Sequence, residues 1–370
     1  MSHYSYSAIF AQYRPIVDLD MLKSYIAHVP ALDLAHIRRL TNQVGILQHA
    51  KYTVPNYHHG YCLDDNVRAL ILVTMAHQVQ SHPSLYGLMH TYVAYILHMQ
   101  LDNGQFRNFL LFDHTFTEQI GSEDSYGRTL YALGFFLKIQ PESEFVPLIR
   151  EIFYKALPHC LQLRSTRAVA YSLLGLIHYY EQYSTMEPTI FNHIAALATF
   201  LQEEYQACQT PVWSWFEKII TYDNAVLPLS LLRAANILHN KSILDIGMAS
   251  ALFLDGLLFS RGHLSIIGNS GWYPYCEDKS KFGQQPIEVP SMILLYKHLY
   301  HITGAQVYRN RVLKTFQWFF GANDLELQLY DPLSKGCSDG LDRDGINANQ
   351  GAESTISFWT AYLYVSTSFD

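Results

Sequence analysis

Six times along this sequence, a short polar cluster opens directly into an apolar stretch. The clusters begin near residues 64, 123, 165, 222, 284 and 349, so successive clusters are 59, 42, 57, 62 and 65 residues apart. Apolar residues recur at helical spacing through most of the chain, and continuous strand-like alternation is hard to find. The mean period, (349 − 64)/5 = 57 residues, is long enough for two helices and their connections. Such an internal repeat predicts an array of helical hairpins.

A second helix is predicted before each cluster, at about 33–48, 86–99, 145–159, 188–205, 242–259 and 305–320. An (α/α)6 toroid has twelve helices in six hairpins, with six inner helices forming a barrel inside six outer ones. The predicted helices match this number. An open superhelix of helical pairs is the alternative. The count of six and the unlike loops before the inner helices favour closure. We therefore expect an all-α toroid with inner helices starting near the six clusters.

The length of 370 residues allows two or three domains, but the repeat extends through nearly the whole chain. The sequence therefore predicts a single toroid domain over residues 1–370, with a short N-terminal extension at 1–30. The long connections, as at 100–122, 260–283 and 321–348, precede the inner helices. Long structured loops on one face of a scaffold usually build a binding site. We expect the site at the N-terminal ends of the inner helices.

The charge balance excludes several classes of partner. The net charge is −7, and no Lys/Arg-rich stripe is present, which argues against nucleic acid. No apolar run approaches the roughly 18 residues of a membrane helix. The first residues lack the features of a secretory signal, and the five cysteines are scattered without a Cys-x-x-Cys pair. We expect a cytoplasmic globular protein with reduced thiols.

Carboxylates and aromatic rings are concentrated at the predicted inner-helix starts. Aromatic faces beside hydrogen-bonding carboxylates and amides suit sugar rings, which present apolar C–H faces and hydroxyl groups together. Two facing carboxyl groups then supply acid and base for glycoside hydrolysis. The candidate catalytic residues are Asp65, Asp124, Glu288 and Glu353. Helix starts stabilise the charged forms of Asp65 and Asp124, whereas burial beside apolar neighbours suits Glu288 and Glu353 to general acid work.

The same clusters supply candidate substrate-binding residues. They are Asp64, Tyr61, Arg68, Glu123, Arg128, Trp215, Glu217, Asp223, Trp272, Gln284, Gln285, Asp342 and Gln350. Several have structural alternatives. Polar residues at helix starts also serve as caps, the two arginines also suit internal ion pairs, and Trp215 also suits the core.

The six-hairpin pattern resembles the (α/α)6 glycosidase superfamily, which includes glycoside hydrolases, polysaccharide lyases and sugar epimerases. Five motifs are similar to those of an uncharacterised bacterial family described only as glycosidase-related or glycosyltransferase-associated. The motifs are HHGYCLDDNVRAL (58–70), EDSYGR (123–128), GNSGWY (268–273), QQPIE (284–288) and NQGAEST (349–355). The resemblance covers nearly the whole chain and implies carbohydrate chemistry, but it assigns no catalytic residue.

The resemblance also keeps a second function open, because sugar epimerases of this fold use histidines as proton-transfer bases. The loops contain His58, His59, His114 and His263. The segment 339–347 superficially suggests calcium but lacks the regular ligands of a calcium loop, so no metal site is expected. Neither a phosphate loop nor a dinucleotide fingerprint is present, and no cofactor is expected.

The sequence as a whole predicts a glycoside hydrolase that acts on an oligosaccharide or small sugar through paired carboxylates. A sugar epimerase or isomerase is the alternative enzyme, and a non-catalytic glycan-binding protein of the same fold is the third possibility. The oligomeric state is not set by these features.

Overall fold

The computed structural model describes residues 17, 19–26, 28–183 and 188–367. Most of the predicted N-terminal extension, residues 1–16, lies outside the described residues. The helices within the described ranges are α1 (Leu19–Tyr25), α2 (Ala35–Leu40), α3 (Leu63–Val79), α4 (Pro83–Met99), α5 (Glu123–Ile139), α6 (Val146–Ala156), α7 (Thr166–Tyr183), α8 (Pro188–Cys208), α9 (Val226–Leu238), α10 (Lys241–Leu258), α11 (Glu288–Thr303), α12 (Gln306–Gln317) and α13 (Ala352–Ser366).

Six of these helices, α3, α5, α7, α9, α11 and α13, form an inner ring. Each contacts the next around the ring, and α13 contacts α3, so the ring is closed. The helices α4, α6, α8, α10 and α12 pack outside, each against the inner helix before it, while α2 packs against α13. This arrangement confirms the all-α prediction and excludes the open superhelix.

The inner helices begin within four residues of the expected positions, with side-chain caps at α3 and α5 and none at α9, α11 or α13. At the start of α5, the Ser122 Oγ accepts a hydrogen bond from the Ser125 N–H at 3.1 Å. Such a side-chain cap satisfies one of the free N–H groups of the first turn. Long loops precede five of the six inner helices, whereas residues 80–82, 239–240 and 304–305 join inner to outer helices. The inner-helix N-termini and the long loops therefore share one end of the ring, which we call the mouth.

The first outer helix is shorter than predicted. A helix was expected over 33–48, but α2 ends at Leu40. The chain turns after Leu40, where the Asn42 side chain accepts hydrogen bonds from the Val44 and Gly45 N–H groups, and a contact distant in sequence supports this turn. Asn66 of α3 accepts a hydrogen bond from the Ile46 N–H at 3.0 Å. A Cβ atom at Gly45 would meet the Asn66 Oδ1 at 2.6 Å, so the backbone passes directly over this side chain. Residues 41–46 form a turn, in which Thr41 pairs with Ile46 and the Asn42 N–H donates to the Gly45 carbonyl oxygen at 3.0 Å.

Four short antiparallel ribbons join the mouth loops, although the sequence showed no strand pattern. They are β1 (Ala50–Lys51) with β2 (Val54–Pro55), β3 (Tyr61–Cys62) with β4 (Phe109–Leu110), β5 (Ile219–Ile220) with β6 (Tyr273–Pro274), and β7 (Gly340–Asp342) with β8 (Gly345–Asn347). In register, Cys62 lies opposite Phe109, and Leu341 lies opposite Ile346. Strands of two or three residues are too short to leave a period-2 pattern in the sequence.

Two further expectations concern membranes and thiols. No helix in the described ranges is long and apolar enough to cross a bilayer. The five cysteines are free in this structure, four of them buried, with Cys276 exposed.

Candidate functional site

A polar pocket of about 520 Å³ opens at the mouth, between the starts of α3 and α13 and the loops that precede α3, α11 and α13. Its volume falls within the roughly 300–1,000 Å³ of typical small-molecule sites. The principal side chains around the pocket are Gln48, His49, Lys51, Asn56, His59, Asp64, Asp65, Arg68, Phe109, Asn269, Gln284, Gln285, Asp339, Asp342, Asn347, Asn349, Glu353 and Ser354. Charged and amide groups therefore dominate its walls.

Two of the predicted catalytic carboxylates meet in this pocket. The Arg68 Nη1 lies 3.3 Å from the Asp65 Oδ1 and 3.0 Å from the Glu353 Oε2. Because both oxygens are bound to one nitrogen, they are at most 6.3 Å apart. Asp65 is only 5% exposed, and burial raises its pKa to about 7, with the charge of Glu353 adding to the rise and Arg68 opposing it. Glu353 is the more exposed partner, with 34% of its side chain exposed against 7% for Asp65. This is the reverse of the sequence-based expectation, because burial of Asp65 outweighs the stabilisation of its charge by the helix start.

Asp65 is also held by the residue that caps its helix. Cys62 has an extended backbone at the end of β3, and its Sγ accepts a hydrogen bond from the Asp65 N–H at 3.4 Å. The thiol in turn donates to the Asp65 Oδ2 at 3.1 Å. Burial raises the pKa of Cys62 well above its ordinary value, so the sulfur carries the proton that this bond needs.

Asp64 points to a different partner. Its carboxylate accepts a hydrogen bond from the Arg128 Nη1 of α5 at 3.1 Å. Burial alone would raise the pKa of Asp64, but the positive charges of Arg128 and Arg68 hold it below its ordinary value. Both arginines are thus engaged in internal ion pairs. Arg68 contacts Asp65 in its own helix and Glu353 of α13, and Arg128 contacts Asp64 of α3 and approaches Asp124 to 3.9 Å.

The other predicted carboxylates connect neighbouring helix starts. Asp124 accepts hydrogen bonds from the Tyr222 hydroxyl and from the Ser165 Oγ. Glu123 accepts from the backbone N–H groups of Arg164 and Ser165, at 2.7 and 2.6 Å. In the loop before α9, Glu217 accepts hydrogen bonds from the Arg167 side chain at 2.7 Å and from the Thr166 hydroxyl at 3.0 Å. These acids fix the α5, α7 and α9 side of the mouth.

Glu288 lies deep beneath the α9 start and is 3% exposed. It accepts hydrogen bonds from the Asp223 N–H and from the Asn224 side chain, the latter at 3.3 Å. Burial, reinforced by the charge of Asp223, raises the pKa of Glu288 to about 8. Asp223 accepts from the Tyr171 hydroxyl and faces a small cavity of about 80 Å³ inside the ring, which we call the axial cavity.

The remaining predicted binding residues divide between pocket and interior. Gln284, Gln285 and Asp342 lie at the pocket. Trp215 and Tyr61 are buried, and Gln350 is buried with its amide oxygen accepting from the Ser334 Oγ at 2.7 Å. Trp272 is partly buried beside Tyr222, with ring centroids 6.0 Å apart.

The structure also brings residues to the pocket that the sequence did not single out. His49 and Asp339 are the main ones. Burial, and then the charge of His59, lowers the pKa of His49. Burial raises the pKa of Asp339 to about 6, against hydrogen bonds from the Gly351 N–H and the Ser354 hydroxyl. His49 lies just beyond the predicted helix 33–48, and Asp339 appeared only within the segment considered for calcium.

The segment considered for calcium forms the β7–β8 hairpin. Across the described ranges, no group of three or more His, Cys, Asp or Glu side chains is arranged to hold a metal ion.

Comparison with known proteins shows the fold. No protein-family model matches the chain, and no curated protein matches it in sequence. Among solved structures, cellobiose 2-epimerase from Bacillus thermoamylovorans has a TM-score of 0.71 at 10% identity, over 93% of this chain and 98% of that one. The chain has the (α/α)6 toroid fold. D-mannose isomerase has a TM-score of 0.64 at 13% identity, over 94% of this chain and 97% of that one.

A third toroid of this kind is an inactive variant of the alpha-1,6-mannanase of Salegentibacter sp., in complex with alpha-1,6-mannotetrose. Its TM-score is 0.60 at 12% identity, over 90% of this chain and 95% of that one. At identities of 10–13%, these comparisons show a shared fold and no more. The resemblance of the five motifs to the uncharacterised bacterial family stays a prediction.

Proposed function

We propose that this toroid is a glycoside hydrolase that cleaves an oligosaccharide in the mouth pocket, with Asp65 as general acid and Glu353 as nucleophile. The observation that carries the proposal is the pair of carboxylates on one guanidinium nitrogen. Their oxygens are at most 6.3 Å apart, from 3.3 and 3.0 Å to the Arg68 Nη1. Retaining glycosidases hold their two carboxyl groups about 5–5.5 Å apart, and inverting ones about 6.5–9.5 Å.

The two environments suit two different roles. A carboxyl group with a pKa of about 7 is protonated in about half of the molecules at pH 7 and in most of them about one pH unit lower, so Asp65 has a proton to give to the glycosidic oxygen. The Glu353 carboxylate attacks the anomeric carbon, the bond to the leaving oxygen breaks, and a glycosyl ester forms on Glu353. Water then attacks the ester while the Asp65 carboxylate takes up the water proton, which restores both groups.

The rest of the pocket supports a sugar ligand. Amide side chains of Asn269, Gln285, Asn347 and Asn349 lie around it and match the hydroxyl groups of a sugar. The mannanase variant mentioned above is inactive with two consecutive aspartates replaced by alanine. Asp64 and Asp65 are consecutive here, and both lie at the pocket.

The test is a screen of purified protein against manno-, gluco- and galacto-oligosaccharides with detection of new reducing ends. Asp65→Asn and Glu353→Gln are each expected to lower kcat by a factor of about 10²–10⁴. The matched control is Glu151→Gln, which neutralises an exposed carboxylate on the outer helix α6. NMR of the first product should show the anomeric configuration of the substrate. Full activity in both variants, or an inverted first product, contradicts the assignment.

One observation favours a sugar epimerase or isomerase as the second candidate. His49 and His59 both lie at the pocket, with ring centroids 4.6 Å apart in an edge-to-face arrangement. The lowered pKa of His49 keeps its imidazole neutral and able to accept a proton from a sugar carbon. In D2O an epimerase introduces deuterium into an uncleaved sugar, and His49→Asn removes that exchange. A hydrolase leaves the intact sugar unlabelled, so the two candidates give different products.

A further inference from the structure

Three aromatic rings stack one on another beside the pocket, and we call them the aromatic stack. Tyr61 is innermost at 1% exposure, Phe112 follows at 46%, and Tyr57 is outermost at 54%. The Tyr61 and Phe112 centroids are 6.4 Å apart with planes 19° from parallel, and the Phe112 and Tyr57 centroids are 4.6 Å apart at 15°. Phe112 covers one face of Tyr57, so the opposite face of that ring is open.

The backbone fixes this stack. Tyr57 begins a 3-10 turn over Tyr57–His59, in which the Asn56 side chain accepts a hydrogen bond from the His58 N–H at 3.2 Å. Gly60 ends the turn at φ 62°, and a Cβ atom there would lie 2.3 Å from the Leu110 carbonyl oxygen. The turn is therefore in direct backbone contact with the β4 side of the ribbon that leads to Phe112.

The aromatic stack continues the wall of the pocket outward. Asn56 and His59, on either side of Tyr57 in the chain, both lie at the pocket, as does Phe109 three residues before Phe112. Exposed apolar side chains grouped in one place generally mark a binding surface. Here the group adjoins polar side chains that already face the proposed substrate.

We propose that the open face of Tyr57 is a distal sugar subsite, which stacks against a pyranose ring of an oligosaccharide whose scissile bond lies between Asp65 and Glu353. This inference rests on the proposed function for the identity of the ligand. Phe112 acts as a positioning residue, because it holds the Tyr57 ring parallel to the buried Tyr61. The subsite predicts tighter binding of chains that are long enough to extend from the pocket to Tyr57.

The experiment measures binding without turnover, by calorimetric titration of the Glu353→Gln protein. The probes are two series, cello-oligosaccharides and alpha-1,6-manno-oligosaccharides, each from disaccharide to pentasaccharide. In the series that the pocket accepts, affinity is expected to rise once the chain reaches Tyr57. Adding Tyr57→Ala is expected to remove that rise, a loss of roughly 2- to 10-fold for the longer chains, with disaccharide binding unchanged. Tyr57→Phe keeps the ring and retains the rise.

The control is Phe191→Ala, which removes a partly exposed ring on the outer helix α8. If the Tyr57→Ala protein and its parent bind each chain length with the same affinity, the subsite is overturned. The absence of binding to both series also overturns it. Length-dependent binding without cleavage by the wild-type protein leaves the subsite standing and rejects the hydrolase instead. The two proposals therefore fail separately.

Discussion

At the floor of the pocket, one carboxyl group and one thiol share a hydrogen bond. The Cys62 thiol donates to the Asp65 Oδ2, and this bond stabilises the charged carboxylate. It therefore lowers the pKa of Asp65 from the value that burial alone would impose, and the net result is about 7. The position of this pKa sets the pH range in which Asp65 has a proton to give.

This dependence predicts a pH profile. If Asp65 is the general acid, activity is present below its folded pKa and lost as the pH rises through about 7. Cys62→Ala removes the thiol donor, so the carboxylate loses stabilisation and its pKa rises. We expect the alkaline limb of kcat/KM to move to higher pH in Cys62→Ala. The limb should stay in place in Cys276→Ala, which alters an exposed cysteine. An alkaline limb that stays put or moves downward in Cys62→Ala contradicts the role of Asp65.

At the scale of the elements, α5 and α7 approach each other more closely than side chains allow. A Cβ atom at Gly134 would lie 2.1 Å from the Gly175 carbonyl oxygen, and one at Gly175 would lie 2.3 Å from that of Leu130. Real Cβ atoms do not occupy such positions, so the two backbones pack directly against each other. The starts of α5 and α7, with their mouth carboxylates, depend on this spacing.

Substitution of these glycines tests the packing. Gly134→Ala and Gly175→Ala are each expected to lower the free energy of unfolding by about 1–3 kcal/mol, because the helices must separate. Gly87→Ala is the matched control, since Gly87 lies on the outer helix α4 with open space where the Cβ would go. That change should raise stability by about 0.5–1 kcal/mol through helix propensity. Urea unfolding measures all three, and equal effects in the three variants would disprove the close approach.

The start of α5 was predictable from the sequence because its cap is local, whereas α9, α11 and α13 begin without a side-chain cap. Ser122 and the apolar spacing after it are enough to place the start of α5. The end of α2 was missed, although the Asn42 turn that follows it is local. The contact of Asn66 with the Ile46 N–H, 20 residues apart, was beyond local sequence patterns. The same holds for the site. Its position at the inner-helix starts follows from loop length, whereas the choice between Glu353 and Glu288 depends on which of them the folded loops cover.

Across the whole molecule, the polar clusters link most of the inner helices into a girdle at the mouth. Asp64 joins α3 to α5 through Arg128, Arg167 of α7 contacts Asn224 before α9, and Glu353 joins α13 to α3 through Arg68. Between α11 and α9 the link is the Glu288 carboxylate under the Asp223–Asn224 backbone. Glu353, which is proposed as the nucleophile, is thus itself one of the acids that link neighbouring inner helices.

The buried acids of the girdle give the stability of the fold a characteristic pH dependence. The pKa values of Asp65 and Glu288 rise to about 7 and 8, so between about pH 6.5 and 8 these two groups bind more protons in the folded chain than in the unfolded chain. Their contribution to the free energy of unfolding therefore falls as the pH rises through this window, whereas Lys279, whose pKa burial lowers to about 8, contributes in the opposite sense at its upper end. Histidines with lowered pKa values, such as His178, oppose this fall at the lower end of the window, because an unfolded histidine loses its proton around pH 6.5 and a buried one is already neutral there.

Glu288→Gln isolates the larger of these contributions, because glutamine has no proton to lose and keeps an oxygen acceptor for the Asp223 N–H. Between about pH 6.5 and 8 the wild-type protein should lose on the order of 2 kcal/mol through Glu288 alone. The free energy of unfolding of the variant should fall by that much less over the same range. Near pH 8 the variant should be more stable than the wild-type protein. The measurement is the free energy of urea unfolding across the window, with Asp344→Asn as an exposed control. Parallel pH profiles for wild type and Glu288→Gln would show that Glu288 is already ionised in the folded chain and that the girdle stabilises its charge.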